Sequence, residues 1–168
     1  MEFREIKAEE LNGNTFEMIG KQWMLVTAKN SKGQVNTMTA SWGGVGIMWG
    51  KPVAFIFIRP QRYTKEFVDD SNYVSLTFFE EKYRSMLKYM GTVSGRNEDK
   101  IKHESLTVAE YDGCPYFEEA SVVFKARKLY AQDLDKDCII DNVIIDKWYP
   151  NDDWHTMYVC EIEKMLVR

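Results

Sequence analysis

Between Pro52 and Pro60 the chain runs through Val53-Ala54-Phe55-Ile56-Phe57-Ile58, six apolar residues in succession. Proline cannot donate to a β-ladder, and the β-branched and aromatic residues between the two prolines favour an extended backbone. A run this short and this apolar predicts a strand buried on both faces. Such a strand needs neighbours on its edges and a packed layer on each side, so it commits the chain to a β-rich core.

On its N-terminal side, Val35–Ala40 alternates apolar and polar residues and predicts a strand. A second strand over Gln22–Ala28 feeds into it through Asn30-Ser31-Lys32-Gly33, giving a hairpin. Small residues follow, Ala40, Ser41, Gly43, Gly44 and Gly46, with Trp42 set among them. They predict exposed backbone amides beside an aromatic face. Gly44-x-Gly46 is no dinucleotide fingerprint, because the third glycine position falls on Trp49 and no βαβ pattern surrounds it. On the C-terminal side the run exits into Arg59-Pro60-Gln61-Arg62-Tyr63-Thr64. Together these residues offer amides for the edge of a flat heteroaromatic ring, an aromatic wall, and arginine forks that bond phosphate in pairs. They are equally compatible with a tight turn, core tryptophans and solvated arginines.

Thr64–Asp70 predicts a short helix capped by Thr64 or a neighbour, and its first turn beside Arg62 would turn amides and a partial positive charge toward a phosphate. Tyr73–Phe79 predicts a strand, and Tyr83, Met86, Leu87 and Met90 form a helical core stripe ended by Gly91. Ser94–Lys100 reads as a polar loop at a helix start, with Asp99 as cap. Asp112–Pro115 is a turn, and Ser121–Gln132 is a strand long enough to bend around a barrel. Within Cys138–Trp148, Ile139, Ile140, Val143, Ile144 and Trp148 recur at helical intervals, predicting an amphipathic helix despite the β-branched residues. Thr156–Ile162 closes the pattern as a strand, with His155 just before it; Phe3–Asn12 reads as an edge segment. Many short strands with few helices predict a mainly β fold closed into a barrel, and 168 residues without repeat or linker predict one domain over 1–168.

A net charge of −4 and a pI near 5.3 argue against broad binding to nucleic acid or an anionic membrane. Cys114, Cys138 and Cys160, with only His103 and His155 beside them, give no zinc template and read as reduced thiols. Eighteen successive apolar residues occur nowhere, and the start has no basic leader, so the expectation is a soluble cytoplasmic protein. No nucleophile-base pair is legible: Ser41 and Ser94 lack a nucleophile elbow and His155 lacks a relay partner. Aromatics at 14% suit a ligand wall, a subunit interface or core packing alike.

Three spaced blocks, Asn36-x-Met38-Thr39-Ala40-Ser41-Trp42-Gly43-Gly44, Lys51-Pro52-Val53 and Arg59-Pro60-x-Arg62-Tyr63-Thr64, resemble the flavin reductase-like proteins. The similarity continues through Ser94-Gly95-Arg96-x-x-Asp99-Lys100, Phe117-Glu118-Glu119-Ala120, Trp148-Tyr149 and His155-x-Met157-Tyr158. The resemblance implies an FMN-binding split β-barrel of Greek-key antiparallel strands. It implies that Thr37, Met38, Thr39, Ala40, Ser41 and Trp42 meet the flavin ring, and that Arg59, Arg62, Tyr63 and Thr64 hold ribityl and phosphate. Ser94 and Gly95 would form a second wall with Lys100 or Arg96 supplying charge, and His155 is a weak candidate for flavin or substrate contact. The flavin N5 would carry the chemistry, with no obligatory catalytic side chain and no metal. The implied activity is an NAD(P)H-dependent oxidoreductase with NADH or NADPH as co-substrate, a small-molecule or protein acceptor, and a homodimer with flavin near the interface. A flavoredoxin-like electron carrier reduced by a protein partner, or a flavin-free binding module on the same barrel, are the other expectations.

Overall fold

A computed structural model describes residues 2–168. The first hairpin forms because Asn30 and Gly33 close it: the Asn30 Oδ1 accepts from the amides of Lys32 (3.1 Å) and Gln34 (2.9 Å), and Gly33 takes φ +79°. It joins β2 (Met24–Lys29) to β3 (Val35–Ala40). The glycine-rich stretch departs from the sequence expectation. It is itself a strand, β4 (Gly43–Met48), paired antiparallel with β5 (Lys51–Ile58) through a turn in which Trp49 and Gly50 both take positive φ. Glycine is required where β4 begins, since a Cβ on Gly43 would lie 2.5 Å from the Phe55 carbonyl oxygen.

Strand β5 corrects a second expectation. Ala54, Ile56 and Ile58 point into the core, whereas Phe55 and Phe57 are half-buried on the outer face. Pro52 is tolerated inside this strand because pairing with the next strand begins only at Val53.

Before the hairpins lie β1 (Arg4–Ile6) and a single helical turn, α1 (Thr15–Glu17); after them come α2 (Tyr63–Asp70), β6 (Tyr73–Phe78), α3 (Arg84–Thr92) and α4 (Lys100–His103). Helix α3 runs one residue beyond Gly91, which does not end it. That glycine lets the helix lie close on β3, where an added Cβ would come within 3.2 Å of the Thr39 Cβ. A hairpin that the sequence showed only as a turn follows, β7 (Val108–Tyr111) and β8 (Cys114–Phe117), folded at Asp112-Gly113. The last elements are β9 (Val122–Asp133), α5 (Val143–Trp148) and β10 (Thr156–Val167).

The main sheet is antiparallel throughout, in the order β3-β2-β6-β9-β10-β5-β4, with β1 on β10. Its two end strands, β3 and β4, are joined by Ser41 and Trp42 alone. Three chain steps span about 11 Å at most, so the sheet must curl until its ends meet. That closure makes the split barrel. Register shifts in the β9–β10 pairing supply the bend of the longest strands. The barrel interior holds Met24, Ile56, Ile58, Phe78, Phe124 and Tyr158, while a second apolar cluster packs α3 and the β7–β8 hairpin onto the outside through Leu87, Met90 and Phe117.

The amphipathic helix expected over Cys138–Trp148 is shorter than its periodicity suggested. A 3-10 turn covers Lys136–Cys138, capped by Asp135; Asp141 Oδ1 then accepts from the Val143 amide and starts α5 afresh. Only the C-terminal end of its apolar stripe is packed, Trp148 against Trp42, while Ile140 is 98% exposed and Val143 67%. Among the described residues, no helix is long and apolar enough to cross a membrane and no group of three metal-ligating side chains assembles.

Candidate functional site

The barrel seam opens into two clefts that share Met38 and Arg62, of about 200 and 130 Å³. The larger is walled by Met38, Thr39 and Ala40 from the end of β3, by Ser41 and Trp42 from the link, and by Phe57 and Arg59 from the end of β5. His155, just before β10, closes it. The smaller lies over the start of α2, between Tyr63 and Thr64 on one side and Ser94, Gly95 and Lys100 on the other. Twelve of the thirteen residues expected to hold a cofactor line one cleft or the other, and His155 joins them. Thr37 does not. It is fully buried, and its hydroxyl lies 2.8 Å from that of Thr27 and donates to the Val26 carbonyl, so its side chain belongs to the barrel interior.

The cations differ in what they already hold. Arg59 is paired with Asp153 at 2.7 Å and donates to the Trp148 carbonyl at 2.9 Å, so its charge is largely answered within the chain. Arg62 donates to the Gly91 carbonyl at 3.0 Å, and the Lys100 Nζ donates to the Met90 and Val93 carbonyls, both at 2.9 Å. These carbonyls end α3, whose dipole supplies about half a negative charge. Two cations therefore face half an anion. Among the described residues neither has a carboxylate partner; burial lowers both pKa values, and Lys100 is pushed down to about 8, with Arg62 adding to the effect. Opposite them, α2 begins without a side-chain cap, leaving its first amides free for an anion.

Gly95 holds the smaller cleft in shape. A Cβ there would sit 2.2 Å from the Asn36 Oδ1 and 3.3 Å from the Tyr63 ring, so only glycine lets the loop close on β3. Asn36 in turn donates to the Thr64 Oγ1 at 2.9 Å and fixes that hydroxyl. Arg96 lies outside both clefts, stacked 4.4 Å over the Tyr63 ring and paired with Glu66.

In the larger cleft, His155 accepts from or donates to the Tyr149 hydroxyl through Nδ1 at 2.8 Å, and its ring lies 5.0 Å from Trp42. Burial, with Arg59 nearby, pushes its pKa down to about 4, so it is neutral at ordinary pH. The Thr39 hydroxyl donates to the Leu87 carbonyl and is thereby tied to α3. Sequence reasoning missed Asn36, Phe57, Gln61, Thr92 and Val93 as site residues. Asn36 alone carried a signal, as a polar residue within the quoted block around β3.

A family model described as flavin reductase like domain matches residues 17–168. The chain belongs to that family. Among solved structures, the flavin reductase-like domain is similar to flavoredoxin of Desulfovibrio vulgaris (Miyazaki F), at 20% identity and TM-score 0.68, covering 87% of this chain and 69% of that one. It is also similar to an FMN-binding domain of a flavin reductases-like enzyme from Shewanella baltica OS155, at 12% identity and TM-score 0.70, covering 99% and 77%. The styrene monooxygenase flavin reductase of Pseudomonas putida S12 matches at 12% identity and TM-score 0.61, covering 86% and 77%. These likenesses establish the shared fold. No curated protein sequence matches the chain.

Proposed function

We propose that this flavin reductase-like domain holds FMN across the two joined clefts and moves electrons from a reduced nicotinamide to an acceptor. The observation that carries the reading is the pair of half-buried and buried cations, Arg62 and Lys100, facing an uncapped helix start with no carboxylate between them. A phosphate is the group that answers both. In the same reading Thr64, fixed by Asn36, bonds the phosphate or ribityl chain, and the backbone of Met38 to Trp42 meets the ring edge. Phe57 and Trp42 exclude water there, and the neutral imidazole of His155 presents a hydrogen-bonding nitrogen without adding charge. Bound FMN would supply the chemistry, taking hydride at N5 and passing electrons on singly or in pairs.

The test is anaerobic mixing of the FMN-loaded protein with NADH or NADPH while the visible spectrum is followed. Rapid bleaching of the flavin band is expected. Slow bleaching, with reduction by a protein donor instead, would favour an electron carrier, a reading supported by the likeness to flavoredoxin and by Arg59, whose charge in the larger cleft is already committed to Asp153. A colourless protein that leaves the fluorescence of added FMN unchanged would leave a flavin-free binding module.

We further propose that two copies pair through the β4–β5 turn, where Ile47 (71% exposed) and Trp49 (55%) stand out and Trp49 lies 6.3 Å from Tyr130. Light scattering of Ile47→Ser with Trp49→Ser would then read a monomer.

A further inference from the structure

Residues 133–153 carry seven aspartates and two lysines, a formal charge of −5 where the whole chain has −4. The rest of the molecule is therefore slightly positive. Only Asp152, near Lys136, and Asp153, paired with Arg59, have a basic partner among the described residues. At the centre of this acidic lobe Ile140 (98%) and Val143 (67%) stand exposed, with Ile144 (38%) and Trp148 (41%) partly exposed beside them. An apolar centre inside a charged rim is the anatomy of a protein contact surface.

We propose that this lobe docks a basic protein whose own apolar face is ringed by lysine or arginine. The charge selects among occupants. A second copy meeting lobe to lobe would bring five excess negative charges against five, and nucleic acid or an anionic lipid surface would be repelled in the same way. A basic partner is attracted and oriented. The surface also adjoins the site: the Trp148 ring stands edge-on to Trp42 at 4.9 Å, and Trp42 lines the larger cleft. Where the cleft holds flavin, as proposed above, a docked partner lies one aromatic side chain away from it, which fits a protein that gives or takes electrons. The docking itself needs no flavin.

Calorimetric titration of the flavin-free protein with horse cytochrome c, a lysine-rimmed redox protein, tests the surface apart from the cofactor reading. Binding in the micromolar range is expected at about 20 mM salt, weakening about tenfold or more at about 200 mM. Asp137→Asn, Asp141→Asn and Asp146→Asn together should weaken it at least about fivefold; asparagine at 141 keeps an oxygen that accepts from the Val143 amide. Ile140→Ser with Val143→Ser should weaken it by a similar factor, and both variants should keep the wild-type far-ultraviolet dichroism because the side chains are exposed. Absence of binding at low salt overturns the proposal. Loss with the charge variants alone reduces the lobe to an ion-exchange surface and also overturns it. A fall from dimer to monomer in Ile140→Ser with Val143→Ser, read by light scattering, would assign the face to a second copy instead.

Discussion

Arg62 and Lys100 are held by main-chain carbonyls and, among the described residues, by no carboxylate, so removing either should be felt chiefly by an anionic ligand. Arg62→Ala is expected to weaken FMN binding by about 1.5–3 kcal/mol, the scale of one charge-assisted bond, as read by fluorescence quenching. A change below a few tenths would separate Arg62 from the phosphate. Lys100 adds a pH signature. With its pKa at about 8 the ammonium is charged at pH 7 and lost above pH 8, while a bound phosphate holds the proton on; affinity should fall about tenfold between pH 7 and pH 9.5. Lys100→Met should flatten that profile.

His155 works in the opposite range. Its folded pKa of about 4 lies below the ordinary 6.5, so the unfolded chain takes up a proton first and stability is lost as pH falls from 6.5 toward 4. Tyr149, Arg59 and Asp153 are the polar neighbours that share this environment. Urea midpoints at pH 7 and pH 5 should differ more in the wild type than in His155→Gln. In the sequence the imidazole was visible as a residue before a strand and, through the family resemblance, as a weak candidate for flavin or substrate contact. Its neutrality comes from burial and from Arg59, two features distant in the chain that only the closed barrel brings together.

Among elements, the loop at Gly95 and the strand β4 make contrasting uses of glycine. Gly95→Ala drives a methyl into Asn36, loosening Thr64 and the cleft wall, and should cost about 1–3 kcal/mol in urea unfolding along with FMN affinity. Gly46→Ala meets nothing within 4 Å and needs no unusual φ, so it should change stability by no more than about 0.5 kcal/mol. The β2–β3 hairpin was legible because the alternation of Val35–Ala40 and the turn residues Asn30 to Gly33 agreed, and β5 was legible as an apolar run, though not the outer placing of Phe55 and Phe57. Strand β4 was not, because glycine carries no side chain from which a period can be read, and its pairing with β5 is settled by Trp49-Gly50. In Cys138–Trp148 the periodicity was present but misled: a helical stripe signals a covering layer, and among the described residues that layer reaches Trp148 through Trp42 but leaves Ile140 and Val143 exposed.

For the molecule as a whole, the mainly β barrel followed from many short strands and few helices, while its closure depended on a detail of order that no local pattern shows. Strands β3 and β4 are neighbours in sequence yet lie at opposite ends of the sheet. The Ser41-Trp42 link that joins them is also the floor of the larger cleft. A molecule seated there would touch both ends of the sheet at once, like a clasp across a cuff. Amide hydrogen exchange along Val35–Ala40 and Gly43–Met48 should therefore slow when FMN is added, more than in the interior pairing of β6 with β9. A cofactor bound elsewhere would leave those two rims opening at their original rate.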